Sequence, residues 1–175
     1  MAPMTRANAR ELALHLIYSR GFTGEEPEQV VSTRLEKDYY AQLSTENDIY
    51  EERPSRPQIR YLDTVVAGVA NREEELNGFI QKFSIGWDVS RISRLTRCIM
   101  QLAIFEILYM EDIPTGVAIS EAVRLSKKYD SSETGSFVNG ILGAFSRSLT
   151  APAAEEVPEA IAVETVEPEA GENAE

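Results

Sequence analysis

Reactive side chains are scarce in this chain, which holds a single histidine, His15, and a single cysteine, Cys98. A lone cysteine excludes an internal disulfide. With Ile99, Leu102 and Ala103 around it, Cys98 reads as a packed thiol in a reducing compartment. Hydrolases and transferases need a nucleophile, a base or a metal set, and neither His15 nor Cys98 has a companion that the sequence can identify. Asp112, Glu121 and Glu133 follow no spacing that makes an acid/base pair. The ten glycines are scattered rather than gathered before a helix, which excludes a phosphate-cradling loop or a dinucleotide fingerprint. The expectation is a protein that is not an enzyme and carries no cofactor and no metal. No apolar stretch approaches the roughly 20 residues that span a bilayer, and the first residues lack the hydrophobic run of a secretory signal. A cytoplasmic protein with no membrane contact is expected.

Positive charge is absent from the last 25 residues, where Ala151 to Glu175 contain eight glutamates and neither lysine nor arginine. The formal net charge of −12 is therefore concentrated there. Residues 1–150 hold 21 acidic against 17 basic residues, a balance of only −4. Such a body excludes a broad, nonspecific grip on duplex DNA, yet a local patch of Arg and Lys still attracts an anion at short range. The Ala/Pro/Glu-rich segment 151–175 has Pro152, Pro158 and Pro168 and too few large apolar residues for a core, so it is expected to be a disordered acidic tail. Residues 1–150 are expected to form one domain.

Period-two alternation is also missing, and what remains is helical. Ala9, Leu12, Ala13, Leu16 and Ile17 form one face of an amphipathic helix with Thr5 as its N-cap. Residues 24–56 are acidic and weakly periodic; a short helix followed by a surface loop through the charge run Glu46 to Glu52 is predicted. Leu62, Val65, Val66 and Val69 mark the next helix. After Asn71, Leu76, Phe79, Ile80 and Phe83 mark another. Glu73, Glu74 and Glu75 point in different directions on a helix and cannot converge on a metal, so they read as a solvated face. Ile92, Leu95, Ile99, Leu102, Ala103 and Leu108 define a strongly apolar central helix running to about Met110. Glu106 within it needs a partner, because an isolated buried carboxylate is costly. Pro114 precedes a helix over about Thr115–Tyr129, and Phe137, Val138, Ile141, Leu142, Phe145 and Leu149 mark the last.

Two stretches are more specific than periodicity: Ile113-Pro114-Thr115-Gly116-Val117-Ala118-Ile119-Ser120-Glu121-Ala122-Val123 and Phe137-Val138-Asn139-Gly140-Ile141-Leu142. Together with Ala9-Arg10-Glu11, Tyr18, Trp87, Arg91, Arg94, Leu102-Ala103, Glu106 and Lys127-Lys128, they resemble the NusB family over nearly all of residues 5–147. The resemblance implies an all-α fold of two small, roughly perpendicular helical bundles with about seven helices. It also implies a transcription antitermination factor that binds boxA RNA of nascent ribosomal RNA transcripts together with the ribosomal protein NusE in the transcription elongation complex. Where family members commonly show consecutive basic residues, this chain has Thr5-Arg6-Ala7-Asn8-Ala9-Arg10. Gln101 stands where an arginine is common, and Ser120 where an asparagine is usual.

On this reading Arg6 and Arg10 pair with phosphates, while Tyr18 and Phe137 stack on unpaired bases. Arg6, Arg10, Leu14 and Tyr18 recur every fourth residue and are expected to share an exposed strip of the first helix. Lys127 and Lys128 add positive field. Glu133 sits where the family has an acidic residue near its RNA surface. Phe137 lies on the stripe of Ile141, so core packing competes with stacking. Asn139, one residue off that stripe, either reads a base edge or hydrogen-bonds the chain. His15, beside the strip, either touches a base or is an ordinary half-exposed helix residue. The competing function is a NusB-like protein-interaction module without RNA binding. A similar helical domain precedes some RNA cytosine methyltransferases, but no room remains here for their α/β cofactor domain.

Overall fold

The computed structural model describes residues 3–151, which form eight α-helices and two 3-10 turns. The expectation for the acidic tail falls outside the described residues. Apart from one isolated bridge between Pro3 and Arg53, no strand pairing occurs among them.

Local chemistry sets most helix starts. Helix α1 (Arg6–Thr23) opens as expected at Thr5, whose side chain accepts from the Asn8 amide at 3.1 Å. Helix α2 spans Pro27–Arg34 and α3 Lys37–Leu43. Helix α4 (Arg56–Asn71) starts with a reciprocal capping box, in which the Ser55 hydroxyl accepts from the Gln58 amide and the Gln58 side chain accepts from the Ser55 amide. This satisfies two of the backbone donors that a helix start leaves open. Helix α5 (Glu73–Phe83) carries Glu73, Glu74 and Glu75 in its first turn, where the positive end of the helix dipole favours carboxylates. All three are exposed, as expected of a solvated face. Helix α6 (Arg94–Tyr109) is capped by Ser93, α7 spans Thr115–Tyr129 after Pro114, and α8 (Ser132–Thr150) is capped by Ser131.

The helices pack in two groups. α1, α2 and α4 form the first, with α3 against α2; α5, α6, α7 and α8 form the second, and α6 also touches α1 and α4. Helix α6 is thus the hub, buried continuously from Cys98 to Glu106. Its contact with α4 depends on Gly68, because a Cβ there would lie 2.1 Å from the Phe105 ring. Cys98 is buried and its thiol pKa is pushed up by burial to about 11, in keeping with a packed, unreactive thiol.

The acidic segment departs from expectation. Residues 27–43 make two helices, not one. The charge run beyond them keeps Glu46, Asp48 and Glu51 exposed, as a surface loop would, but it also holds a 3-10 turn over Asp48–Glu51 in which Ile49 and Tyr50 are 3% and 4% exposed. The Tyr40 and Tyr50 rings meet edge to face at 5.1 Å, and the Tyr40 hydroxyl donates to the Glu52 carbonyl. Three isolated apolar side chains in a charged background produce no periodicity, yet each fills a gap against the first group.

Candidate nucleic-acid interface

Arg6, in the first turn of α1, is exposed. One turn on, the expected strip ends, because Arg10 is 7% and Leu14 0% exposed. The Arg10 guanidinium grips Glu106 of α6 with Nε–Oε1, Nε–Oε2 and Nη2–Oε2 distances of 2.9, 3.1 and 2.8 Å, and Glu121 of α7 lies 3.7 Å from its Nη1. Tyr61 adds a hydroxyl donor to Glu106 at 3.4 Å. Burial by itself would lower the Arg10 pKa, but the bonds and charge of Glu106 outweigh it and hold the guanidinium firmly protonated. Arg10 is therefore a structural clamp, contrary to the phosphate contact expected of it. Four-residue spacing drifts round the helix, and the chain places α6 where that drift leads. Glu106 has the partner its position required.

The next polar positions of α1 continue this buried ladder. Glu11 accepts from Lys128 at 2.6 Å and from the Tyr129 hydroxyl, with Arg124 3.7 Å away. Those bonds hold its pKa below the usual carboxylate value although burial pushes the other way. His15 sits between the Tyr50 and Tyr129 hydroxyls at 3.0 and 2.7 Å. Because Tyr129 donates to Glu11 and Tyr50 accepts from Arg34 at 2.6 Å, the tautomer follows: Nδ1 accepts from Tyr50 and Nε2–H donates to Tyr129. Burial lowers the His15 pKa to about 4. The imidazole is neutral and enclosed rather than offered to a base. Lys128 is likewise spent on Glu11.

Tyr18 is half-buried against the core, its ring edge-on to Phe22 at 5.0 Å. Its ring is partly enclosed and still reaches the surface.

A second set gathers at the α7–α8 turn. Lys127 is exposed, with its aliphatic stem against Gly135. Glu133 and Asn139 are exposed, Glu133 in the first turn of α8, where the helix dipole also favours a carboxylate. Phe137 packs against the core, as its place on the Ile141 stripe suggested, and its ring meets Trp87 edge-on at 6.1 Å. Trp87, 54% exposed, stands in the loop between α5 and α6. It joins Phe137 in an aromatic surface that local pattern could not assemble, since 50 residues separate the two.

The family model described as NusB family matches residues 7–147. The chain belongs to the NusB family. It is 41% identical over 140 residues to the transcription antitermination protein NusB of Acetivibrio thermocellus, covering 80% of this chain and 87% of that protein. It is 33% identical to the protein of the same name from Symbiobacterium thermophilum, covering 83% and 92%. Among solved structures, T. maritima NusB superposes with a TM-score of 0.68 at 23% identity, covering 83% of this chain and 93% of that one. NusB in a complex of the antitermination factors NusB and NusE with double-stranded RNA superposes with a TM-score of 0.63 at 22% identity, covering 82% and 96%.

Within this NusB-family fold the departures seen in sequence fall in different surroundings. Ser120 is exposed on α7, whereas Gln101 is 5% exposed and donates to Asn77 Oδ1 at 2.8 Å. The second change lies inside the helix packing rather than on the α7–α8 surface. Arg124, not singled out by sequence reasoning, bridges Glu121 at 2.9 Å and the Ala7 carbonyl at 3.4 Å, tying α7 to the start of α1. No helix among the described residues is long and apolar enough to cross a membrane.

Proposed function

We propose that the protein is a cytoplasmic transcription antitermination factor that binds boxA-like single-stranded RNA of nascent ribosomal RNA transcripts together with NusE, within the transcription elongation complex. The observation that carries this reading is membership of the NusB family across residues 7–147, with a 41% identical relative that is a transcription antitermination protein. The neighbouring complex of NusB and NusE with double-stranded RNA supports NusE and RNA as the classes of partner.

In this reading Arg6 and Lys127 pair with backbone phosphates, and Phe137 with Trp87 offers an aromatic surface to an unpaired base. Asn139 presents an amide that can serve a base edge, and Glu133 disfavours phosphate approach beside it, helping to set register. Arg10 and Tyr18 act indirectly, by holding α1 in place. Two phosphate contacts give a single-strand salt slope of only about −1.4, so binding of RNA alone is weak and NusE supplies the rest.

The test is fluorescence anisotropy of a labelled boxA RNA at two salt concentrations, with and without NusE. Cooperative, salt-sensitive binding is expected, lowered several-fold by Arg6→Ala or Lys127→Ala with the fold intact. Arg10→Ala is expected instead to destabilise the protein by about 3–5 kcal/mol, because it strands a buried carboxylate. The consumption of Arg10 and Lys128 inside the fold favours one rival, a NusB-like protein-interaction module. Binding of NusE without any binding of RNA would establish that rival.

A further inference from the structure

The end of α1 remote from Arg6 presents a separate cationic feature. Positions 6 and 20 of one helix are fourteen residue steps apart, about 21 Å at 1.5 Å per residue. There α1, α4 and α6 part and leave a cleft of about 80 Å³, with Arg20, Arg94 and Arg97 around it, Val66 and Val69 among its apolar lining and Glu73 also on its wall. Among the described residues none of the three arginines stands within ion-pair distance of a carboxylate. The Nε atoms of Arg20 and Arg97 are both buried and have no hydrogen-bond partner. This contrasts with Arg10 in the same protein, whose buried Nε is doubly satisfied. A guanidinium donor removed from water without an acceptor is unfavourable, and with no carboxylate within ion-pair reach of them among the described residues the three arginines leave uncompensated positive charge at one cleft, a field that draws an external anion.

The rim supports the same conclusion. Arg94 lies over the Phe22 ring, 4.6 Å from its centroid. It reaches there because residue 21 is glycine: a Cβ at that position would lie 2.1 Å from Arg94 Nη1. Phe22 itself is 66% exposed. Three arginines lining one small space carry more donors than a single planar carboxylate can use, while a tetrahedral oxyanion accepts from several directions. The one carboxylate on the wall, Glu73, leaves the positive charge in excess. The volume suits a single such group with a water or two, and an exposed ring beside it suits the base or sugar that a nucleotide strand would bring.

We propose that this cleft binds a phosphate group, held by Arg20, Arg94 and Arg97, with Phe22 as an adjoining stacking surface. The phosphate is either a backbone group of an RNA strand that has followed α1 or a free phosphate ion. The site stands independently of the contacts assigned to Arg6, Lys127 and Phe137.

The experiment uses the full chain and inorganic phosphate as probe, followed by 31P line broadening and calorimetric titration. Arg97→Gln is expected to weaken phosphate binding about tenfold or more. Glu73→Gln is expected to strengthen it several-fold by removing the one carboxylate on the cleft wall among the described residues. Gly21→Ala displaces the Arg94 head while improving helix propensity, so it is expected to lose affinity without losing thermal stability, which separates the site from any general effect on folding. Absence of phosphate binding to the wild-type chain overturns the proposal, as does equal binding by wild type, Arg97→Gln and Gly21→Ala. Competition by acetate as effective as by phosphate also overturns it, in favour of a carboxylate from a protein partner. If phosphate binds and Arg97→Gln and Phe22→Ala both weaken boxA RNA binding, the ligand is the RNA backbone. If phosphate binds while RNA affinity is unchanged in those variants, the ligand is free phosphate. Phosphate binding by a chain that binds no RNA at all would leave this site standing and sink the antitermination reading.

Discussion

His15 illustrates how a side chain that looks chemically available is committed to structure. Its neutral imidazole links Tyr50 to Tyr129, and through Tyr129 to Glu11. In the unfolded chain it takes up a proton near its ordinary pKa of about 6.5, while in the folded protein it does so only near 4. Between these values the unfolded state binds more protons, so stability rises with pH. The contribution is complete above about 6.5 and is lost as pH falls toward 4, amounting to about 3 kcal/mol over that window. Glu11 adds to the acid sensitivity with the same sign. Its folded pKa is depressed, so its contribution is present above its unfolded pKa and is lost as pH falls through the lower, folded one. Urea midpoints measured from pH 4 to 7 should therefore slope upward in the wild type, and His15→Gln should flatten the slope by about 1.4 kcal/mol per pH unit across the window. Parallel slopes for the two proteins would contradict this account of the imidazole.

Helix α6 shows what packing asks of its neighbours. Its apolar residues were legible as a buried helix because they recur all round the cylinder, and the position of Glu106 among them announced a partner. That the partner is Arg10, 96 residues away, was not legible. Gly68 of α4 likewise takes its meaning from packing, as the seat of the Phe105 ring. Gly68→Ala forces the ring aside in a close-packed core, where overpacking costs typically 1–3 kcal/mol, and the gain in helix propensity of about 1 kcal/mol offsets only part of it. A net loss of up to about 2 kcal/mol, read as a lower urea midpoint with unchanged m-value, is the expected result. An equal or higher midpoint would show that α4 and α6 separate freely enough to admit the methyl group.

Across the protein, charge is divided between a near-balanced body and a strongly acidic C-terminal segment with eight glutamates in 25 residues. If Arg6 and Lys127 meet RNA as proposed, like charge on the same chain lowers the local concentration of RNA around them, over a range that salt controls. Deletion after Thr150 should raise RNA affinity at low ionic strength and leave it unchanged at high ionic strength. The comparison is a pair of anisotropy titrations on the full and shortened chains, and equal affinities at low salt would remove the tail from any part in RNA binding.

Helix positions were readable from local information: Thr5 as a cap, the 3.6-residue stripes, the break at Pro114 and the family motifs in α7 and α8 each depend on residues close in sequence. The candidate surface was readable only in part. Arg6, Lys127, Glu133 and Asn139 are exposed as a polar residue on a helix usually is, whereas Arg10, Tyr18 and His15 belong to faces whose fate was set by which helix came to lie against them. A guanidinium has the same propensity whether it meets phosphate or carboxylate; the difference lies in long-range packing, which brings Glu106 to Arg10, Trp87 to Phe137 and, to one cleft, three arginines with no carboxylate partner among the described residues.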